Sequence, residues 1–212
     1  MVGVPIVDIR CFRAQFYRIE PSTEKKQKCR DLERLEGKKM MSNRWDEYFM
    51  KIAADVSSQT RCLSRHIGAV IVKDGKFIVS TGYNGPAIDV APCWEREEIK
   101  NIYASQFGKM PDHDYSICPR RVFGYESGEG LYWCAACHAE RNAIDIAARL
   151  GISTKDCILY LNTEVCPCLE CAKSIIQAGI IEVVVIDDHP YEKYGISGKL
   201  MLEYGKVKVR TC

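Results

Sequence analysis

A chain of 212 residues is long enough for one good hydrophobic core with length to spare. Its 30 basic and 28 acidic residues leave a net charge of +2, which gives no whole-protein argument for a nucleic acid or an anionic membrane as partner. Apolar runs such as "GAVIV" and "VVVI" fall far short of the ~20 residues of a spanning helix. The apolar start is broken by Asp8 and Arg10 with no leader-like h-region after it, so a cytoplasmic protein without a signal peptide is expected. Without a secretory leader, the 12 cysteines point to metal binding before disulfides.

Residues 1–40 carry 10 of the basic and 6 of the acidic residues and read as a polar N-terminal extension whose charge run is a solvated face. The main domain is expected over 41–212. "SNRWDEYFMKIAADVSSQ" places Trp45, Tyr48, Phe49, Ile52, Ala53 and Val56 at helical spacing behind a Ser/Asn cap. "IGAVIVKDGKFIVSTGYNG" reads as two strands joined at Asp74-Gly75, a hairpin signal. A long irregular stretch follows, an insertion at about 86–135, with a short helix around "WEREEIKNIYASQF". Connections of this length are functional or are held by something other than a core. From there helices and strands alternate. "AERNAIDIAARLG" is a helix closed by Gly151, "CILYLNT" a strand, "CLECAKSIIQAG" a helix closed by Gly179 and "IEVVVID" a strand. "SGKLMLEYG" is a short helix and "KVKVR" a last strand. This order implies an α/β fold whose sheet has parallel members and helices on both faces.

Two motifs stand at equivalent places. "His138-Ala139-Glu140" opens one helix, and "Pro167-Cys168-Leu169-Glu170-Cys171" opens the next after a strand. Cysteines three apart on a helix share a face, so both sulfurs reach one ion, and a helix N-terminus favours the thiolate that binds zinc. With His138 they make three protein ligands. A tetrahedral zinc then keeps a position open, which is the catalytic pattern and not the structural one. Glu140, two residues past His138, points elsewhere and is suited to move protons between an activated water, a ring nitrogen and a leaving amine. Cys137 and Cys166, each adjacent to a ligand motif, are read as packing or lining residues. Cys157 is read as a buried small hydrophobe, and His66 as a satisfied surface or interface group.

The pair H-x-E and P-C-x-x-C is a recognised signature of zinc deaminases. With "WDEYFMKIAADVSSQTRC", "GAVIVKDGKFIVSTGYNGP", "HAERNAI" and "PCLECAKSIIQAGI", the sequence resembles the cytidine and deoxycytidylate deaminase superfamily, and within it the deoxycytidylate (dCMP) deaminase branch. The resemblance covers nearly all of 43–188 outside the middle insertion. It implies a three-layer cytidine-deaminase-like fold with a mixed, five-stranded central sheet. It also implies a hydrolase acting on a cyclic amidine, converting dCMP to dUMP and ammonia for thymidylate synthesis. His138, Cys168 and Cys171 are then the zinc ligands and Glu140 the proton shuttle. Asn84 and Ala139 contact the nucleotide, although an Asn in a Gly-flanked turn can equally be a turn residue. An aromatic residue following a late strand helps hold the phosphate, with Tyr191 the match and Tyr194 its rival.

Many members of the superfamily bind a second zinc. The corresponding regions here offer Cys62, Cys93 and Cys134, with Cys118 or His113 as the fourth ligand, and four thiolates would make a closed structural site. The resemblance further implies a homo-oligomer, a hexamer being one form, with dCTP and dTTP as effectors. Rival substrates are cytidine, dCTP, a tRNA adenosine and a riboflavin-pathway pyrimidine. Nucleic acid is disfavoured because residues 41–212 hold 20 basic and 22 acidic residues, where a polynucleotide channel wants a basic groove. A non-catalytic zinc scaffold is the reading from another class, and it has no use for Glu140.

Overall fold

In the computed structural model, residues 44–108, 117–126, 128–192 and 195–212 are described. The extension at 1–40, His113 and Tyr194 lie outside them. The first described helix, α1, spans 44–57. Strands β1 (Gly68–Lys73) and β2 (Phe77–Tyr83) form an antiparallel hairpin. Its turn at Asp74 and Gly75 has positive φ at both residues, 53° and 65°, which is what the Asp-Gly pair supplies at lowest cost.

After the middle segment come α4 (Ala139–Arg149), β5 (Ile158–Leu161), α5 (Leu169–Gln177), β6 (Glu182–Val185), α6 (Gly198–Tyr204) and β7 (Lys208–Thr211). The five strands lie in the order β2-β1-β5-β6-β7. The β1 strand is antiparallel to both its neighbours, whereas β5, β6 and β7 run parallel. The sheet is therefore mixed and five-stranded, as the resemblance implies.

Period-two alternation builds three layers. Ala69, Ile71, Leu159, Leu161, Val183 and Val185 face one side and pack with Ala143 of α4, Ala172 and Ile175 of α5 and Leu202 of α6. The intervening Val70, Val72, Tyr160 and Val184 face the other side and pack with Phe49 and Ala53 of α1. Those central strands are buried on both faces, so they read as continuous apolar runs. On the α1 side, Arg210 of β7 clamps the Asp46 carboxylate with two hydrogen bonds of 2.6 and 2.7 Å. Tyr160 donates to the same carboxylate at 2.8 Å, and the Arg210 Nε bonds Glu182. A guanidinium fork thus joins the last strand to the first helix. Among the described residues, no helix is long and apolar enough to cross a membrane.

The segment 86–135 is more ordered than its sequence suggests. Its base is closed by a two-residue ladder, β3 (Gly85–Pro86) against β4 (Ala136–Cys137). It contains a 3-10 turn at Cys93–Glu95, then α2 (Glu97–Phe107), α3 (Pro119–Val122) and a 3-10 turn at Leu131–Trp133. Trp94, Ile99 and Tyr103 form a small core with Leu63, Val122, Phe123 and Trp133 packed against it. Trp94 and Tyr103 meet edge-on at 6.1 Å, and the Trp94 indole donates to Ile117 O at 2.7 Å. The segment is thus held partly by a core of its own. With the residues packed against it, this core draws on positions from Leu63 to Trp133 with no periodicity to connect them, which is why it is not visible in sequence.

Candidate metal centre and active site

Helix starts deliver the reactive groups. His138 is the N-cap residue of α4, Cys168 is that of α5, and Cys171 lies in the first turn of α5. Both caps have extended backbone, so each side chain projects from the mouth of its helix. The His138 Nδ1 lies 3.4 Å from each of the two sulfurs, Cys168 Sγ and Cys171 Sγ. All three ligand atoms fall within 4.8 Å of one another. A tetrahedral zinc with bonds of about 2.0 Å to nitrogen and 2.3 Å to sulfur needs its ligand atoms roughly 3.5–3.8 Å apart. The donor set and its spacing fit zinc.

The protonation of the set follows from its neighbours. Cys171 hydrogen-bonds the Cys168 sulfur and holds its thiol far below the usual range; the same bond, with burial, pushes Cys171 up. Both sulfurs stand at the start of α5, where the helix N-terminus favours a thiolate. The hydrogen bond to Cys168 also raises His138, against the opposing effect of burial.

Close backbone approach fixes where these helix starts lie. A β-carbon on Gly82 of β2 would sit 2.9 Å from Ala143 Cα and closer still to Ala139 O and Ala143 N, so only glycine lets α4 lie this near the sheet. The Ser80 hydroxyl donates to Ala143 O at 2.7 Å, locking the same approach. Gly198 of α6 packs equally tightly on the backbone of Pro167 and Cys168. The Glu192 carboxylate accepts from Leu169 N of α5 and from Gly198 N at 2.9 Å, so one side chain caps two helices.

Glu140 sits in the first turn of α4 and is 6 % exposed. Burial raises its carboxyl, opposed by the charge of His138. It lies outside the three-ligand set but lines the same cavity of about 40 Å³, whose walls also include Arg65, Asn84, His138, Cys168 and Tyr191. A titratable carboxyl with a raised pKa beside a metal-ligand set is the expected environment of a proton-transfer group.

Asn84 is buried on the cavity wall. Its Oδ1 accepts from Ala139 N at 2.9 Å, so it satisfies the first amide of α4. Its own amide donates to Ile67 O at 3.1 Å, and the Thr60 hydroxyl bonds its carbonyl. Asn84 is thus both a turn residue and a wall residue. Ala139 is fully buried and does not line the cavity; its N–H is the group that Asn84 engages. Tyr191 stands at the wall after β6.

Cys166 is buried, lines the cavity and donates its thiol to Asp188 O at 3.4 Å. Cys137 lies in the β4 ladder opposite Gly85. The thiols Cys62, Cys118 and Cys134 lie near enough to Cys93 to act on it electrostatically, but among the described residues the four are not drawn together into a ligand group as His138, Cys168 and Cys171 are. Burial pushes the Cys93 thiol up to about 11, with Cys134, Cys118 and Cys62 adding to the rise and Arg96 opposing it. Sequence reasoning passed over Arg65, which lies between α1 and β1; nothing in "LSRHIG" separates a wall cation from a surface one. Its neighbour His66 is exposed.

The comparisons with known proteins agree with this site. Residues 43–187 match the family described as the cytidine and deoxycytidylate deaminase zinc-binding region. The deoxycytidylate deaminase of Saccharomyces cerevisiae is 34 % identical over 145 residues, which are 68 % of this chain and 38 % of that protein. That of Schizosaccharomyces pombe is 32 % identical over 165 residues, 76 % of this chain and 44 % of the relative. The chain thus spans less than half the length of these two relatives. Against the deoxycytidylate deaminase of Enterobacteria phage T4 the identity is 35 % over 158 residues, covering 69 % of this chain and 79 % of that one. Among solved structures, the dCMP deaminase of cyanophage S-TIM5 in apo form superposes with a TM-score of 0.53 at 22 % identity, covering 79 % of this chain and 96 % of the other. The same enzyme in complex with dCMP and dUMP gives 0.53 at 24 % identity, covering 78 % and 95 %; at these identities the likeness speaks for the fold. With the family match extending across both ligand motifs and the strands β1, β2, β5 and β6, the chain belongs to the cytidine and deoxycytidylate deaminase family.

Proposed function

We propose that this chain is a zinc-dependent hydrolase that converts dCMP to dUMP and ammonia. The observation that carries the reading is the meeting of the His138, Cys168 and Cys171 ligand atoms, two of whose residues, His138 and Cys168, share the wall of one small cavity with the buried Glu140. The deoxycytidylate deaminases among its relatives support dCMP as the substrate.

Zinc, when bound by His138, Cys168 and Cys171, supplies the Lewis acidity that makes water a nucleophile near neutral pH. The protein's own residues do the rest. Glu140, in its carboxylate form, accepts a proton from the attacking water and passes it to the ring nitrogen beside C4. It then serves the departing amino group, so that one C–N bond breaks and one C–O bond forms as ammonia leaves. Asn84 fixes the start of α4 and so the position of Glu140. The small, walled cavity limits bulk water around the reacting ring.

The test is a substrate panel of dCMP, dCTP, deoxycytidine and CMP followed by loss of cytosine absorbance near 290 nm, with zinc stoichiometry measured alongside. We expect dCMP to be consumed fastest. Glu140→Gln should lower turnover by about 10³-fold or more while zinc content is unchanged. Equal activity in the variant, or no turnover of any cytosine compound by the wild type, overturns the mechanism and favours the zinc scaffold. The same metal analysis tests a second, structural zinc on Cys62, Cys93, Cys118 and Cys134, supported by the electrostatic reach of the other three thiols to Cys93: two ions per chain are expected and one removes it. The homo-oligomer and the dCTP and dTTP effectors rest on family resemblance, and light scattering with and without those nucleotides tests them.

A further inference from the structure

Each helix that carries a metal ligand gives up its N-cap position to that ligand. N-caps are ordinarily Ser, Thr, Asp or Asn, whose side-chain oxygen takes a first-turn amide. Here His138 holds the place on α4 and Cys168 on α5, and the two side chains turn to each other, Cys168 Sγ lying 3.4 Å from His138 Nδ1. The first amide of each helix is then satisfied from outside. Asn84 takes Ala139 N of α4 at 2.9 Å, and Glu192 takes Leu169 N of α5. Asn84 belongs to the cavity wall, whereas Glu192 does not line the cavity and the deamination step makes no use of it.

Glu192 does more than cap α5. Its other carboxylate oxygen accepts from Gly198 N of α6 at 2.9 Å. The start of α6 in turn bears on the ligand segment, since a β-carbon on Gly198 would lie 2.8 Å from Cys168 C and nearer still to Pro167 O. Leu169 stands between the two ligand cysteines in the chain, so a bond to its amide fixes the span that carries both sulfurs. The loop that delivers Glu192 is itself laid along that segment. Val165 bridges His189 in parallel, Cys166 N donates to His189 O at 2.8 Å, and the Cys166 thiol donates to Asp188 O. Asp188 also pairs with Lys199 of α6 at 2.6 Å. A carboxylate held in this way offers one charge-assisted acceptor to each of two helix starts, whose aligned amides favour its charge.

We propose that Glu192 is a positioning residue for the metal centre: by joining the starts of α5 and α6 it sets where the Cys168 sulfur stands relative to His138 and Cys171. This rests on the reading of those three residues as the zinc ligands. Groups just outside a ligand set orient the ligands, and their loss shows in metal affinity before it shows in the fold.

The test compares Glu192→Ala, Glu192→Asp and Glu192→Gln with the wild type, and takes Ser197→Ala as control. Ser197 caps α6 alone, its hydroxyl accepting from Leu200 N at 3.2 Å. Zinc affinity is measured by competition with a chromogenic chelator at a temperature well below Tm, with His138→Ala marking the ion that belongs to this site. Tm is read by calorimetry, and dCMP turnover is followed in saturating zinc. Glu192→Ala should weaken zinc binding by about 10- to 100-fold, and its turnover should stay about 10-fold or more below wild type with the site filled. Glu192→Asp keeps the charge but is one methylene short of spanning both amides, and should fall with Glu192→Ala. Glu192→Gln keeps the length and one acceptor oxygen, and should recover part of the zinc affinity. Ser197→Ala should lower Tm with zinc affinity unchanged.

Wild-type zinc affinity in Glu192→Ala overturns the proposal, and so does wild-type affinity in Glu192→Asp, which would show that charge alone suffices. A Ser197→Ala protein that loses as much zinc as Glu192→Ala also overturns it, because the effect then belongs to the stability of α6. Where Glu192→Ala does not fold, the other pair decides: Glu192→Gln holding zinc more tightly than Glu192→Asp supports the proposal, and an equal or reversed order overturns it. A wild type that holds no zinc through His138 overturns the functional reading itself. A wild type that holds zinc and consumes dCMP beside unaffected Glu192 variants overturns only the role of Glu192.

Discussion

Replacing Gly82 by alanine perturbs the catalytic geometry without touching any group that does chemistry. The new methyl would lie 2.9 Å from Ala143 Cα and closer still to two backbone polar atoms of α4. Ordinary contact begins near 3.4 Å, and these neighbours are backbone, so α4 must retreat by roughly 1 Å. Overpacking of this kind costs about 1–3 kcal/mol. The retreat also strains the Ser80–Ala143 bond at 2.7 Å and the Asn84–Ala139 bond at 2.9 Å, at about 1 kcal/mol each. A total of about 3–5 kcal/mol corresponds to a fall in Tm of roughly 6–20 °C for a domain of this size. The functional effect should be larger in proportion. His138 and Glu140 ride on α4 whereas Cys168 and Cys171 sit at the start of α5. Metal sites tolerate about ±0.2 Å in ligand distance, and a 1 Å misplacement of reacting groups costs about 10²-fold in rate. Calorimetric unfolding, zinc titration and dCMP turnover would be measured on the variant. The control is Gly75→Ala in the hairpin turn, where φ is +65° and nothing lies within 4 Å of the added carbon; it should lose about 1 kcal/mol of stability with zinc affinity and turnover intact. A Gly82→Ala protein with wild-type Tm and zinc affinity refutes the reasoning.

Two further outcomes follow from buried groups elsewhere. Arg210→Met strands the Asp46 carboxylate, which is 5 % exposed, and should cost about 3–5 kcal/mol in urea unfolding; pairing it with Asp46→Leu should recover much of that loss, and additive losses would show that the two residues act independently. The Cys166 thiol, pushed up to about 11 by burial, is almost wholly protonated at pH 8. The thiolate fraction grows tenfold per pH unit below the pKa, so alkylation of Cys166 by iodoacetamide, mapped by mass spectrometry, should accelerate by nearly 100-fold between pH 8 and pH 10. Fast labelling at pH 8 would show that the side chain is not held as the structure has it.

The local elements were set down by the sequence because their causes are local. Asp74-Gly75 supplies two left-handed residues for a hairpin turn, and Gly151 and Gly179 take the left-handed conformation just past their helices. The apolar runs of β1, β5 and β6 follow from burial on both faces of the sheet. The spacing of "HAE" and "PCLEC" was legible for the same reason: a metal ligand set written on two helix starts keeps a fixed motif whatever surrounds it. The order of strands was not local, since it depends on which edges pair. The core of Trp94, Ile99 and Tyr103 was invisible because its contacts span distant positions without a repeat. The walls of the cavity were equally hidden. Arg65 and Tyr191 are 126 positions apart in the chain and meet at 5.0 Å only because the α1–β1 loop and the loop after β6 end at the same place on the sheet. Chemistry carried by short-range motifs was therefore fixed by sequence alone. The shape of the pocket, the placement of Arg65 on its wall and the double duty of Asn84 were decided by tertiary structure, because close approach and charge proximity are properties of folded distance and leave no pattern along the chain.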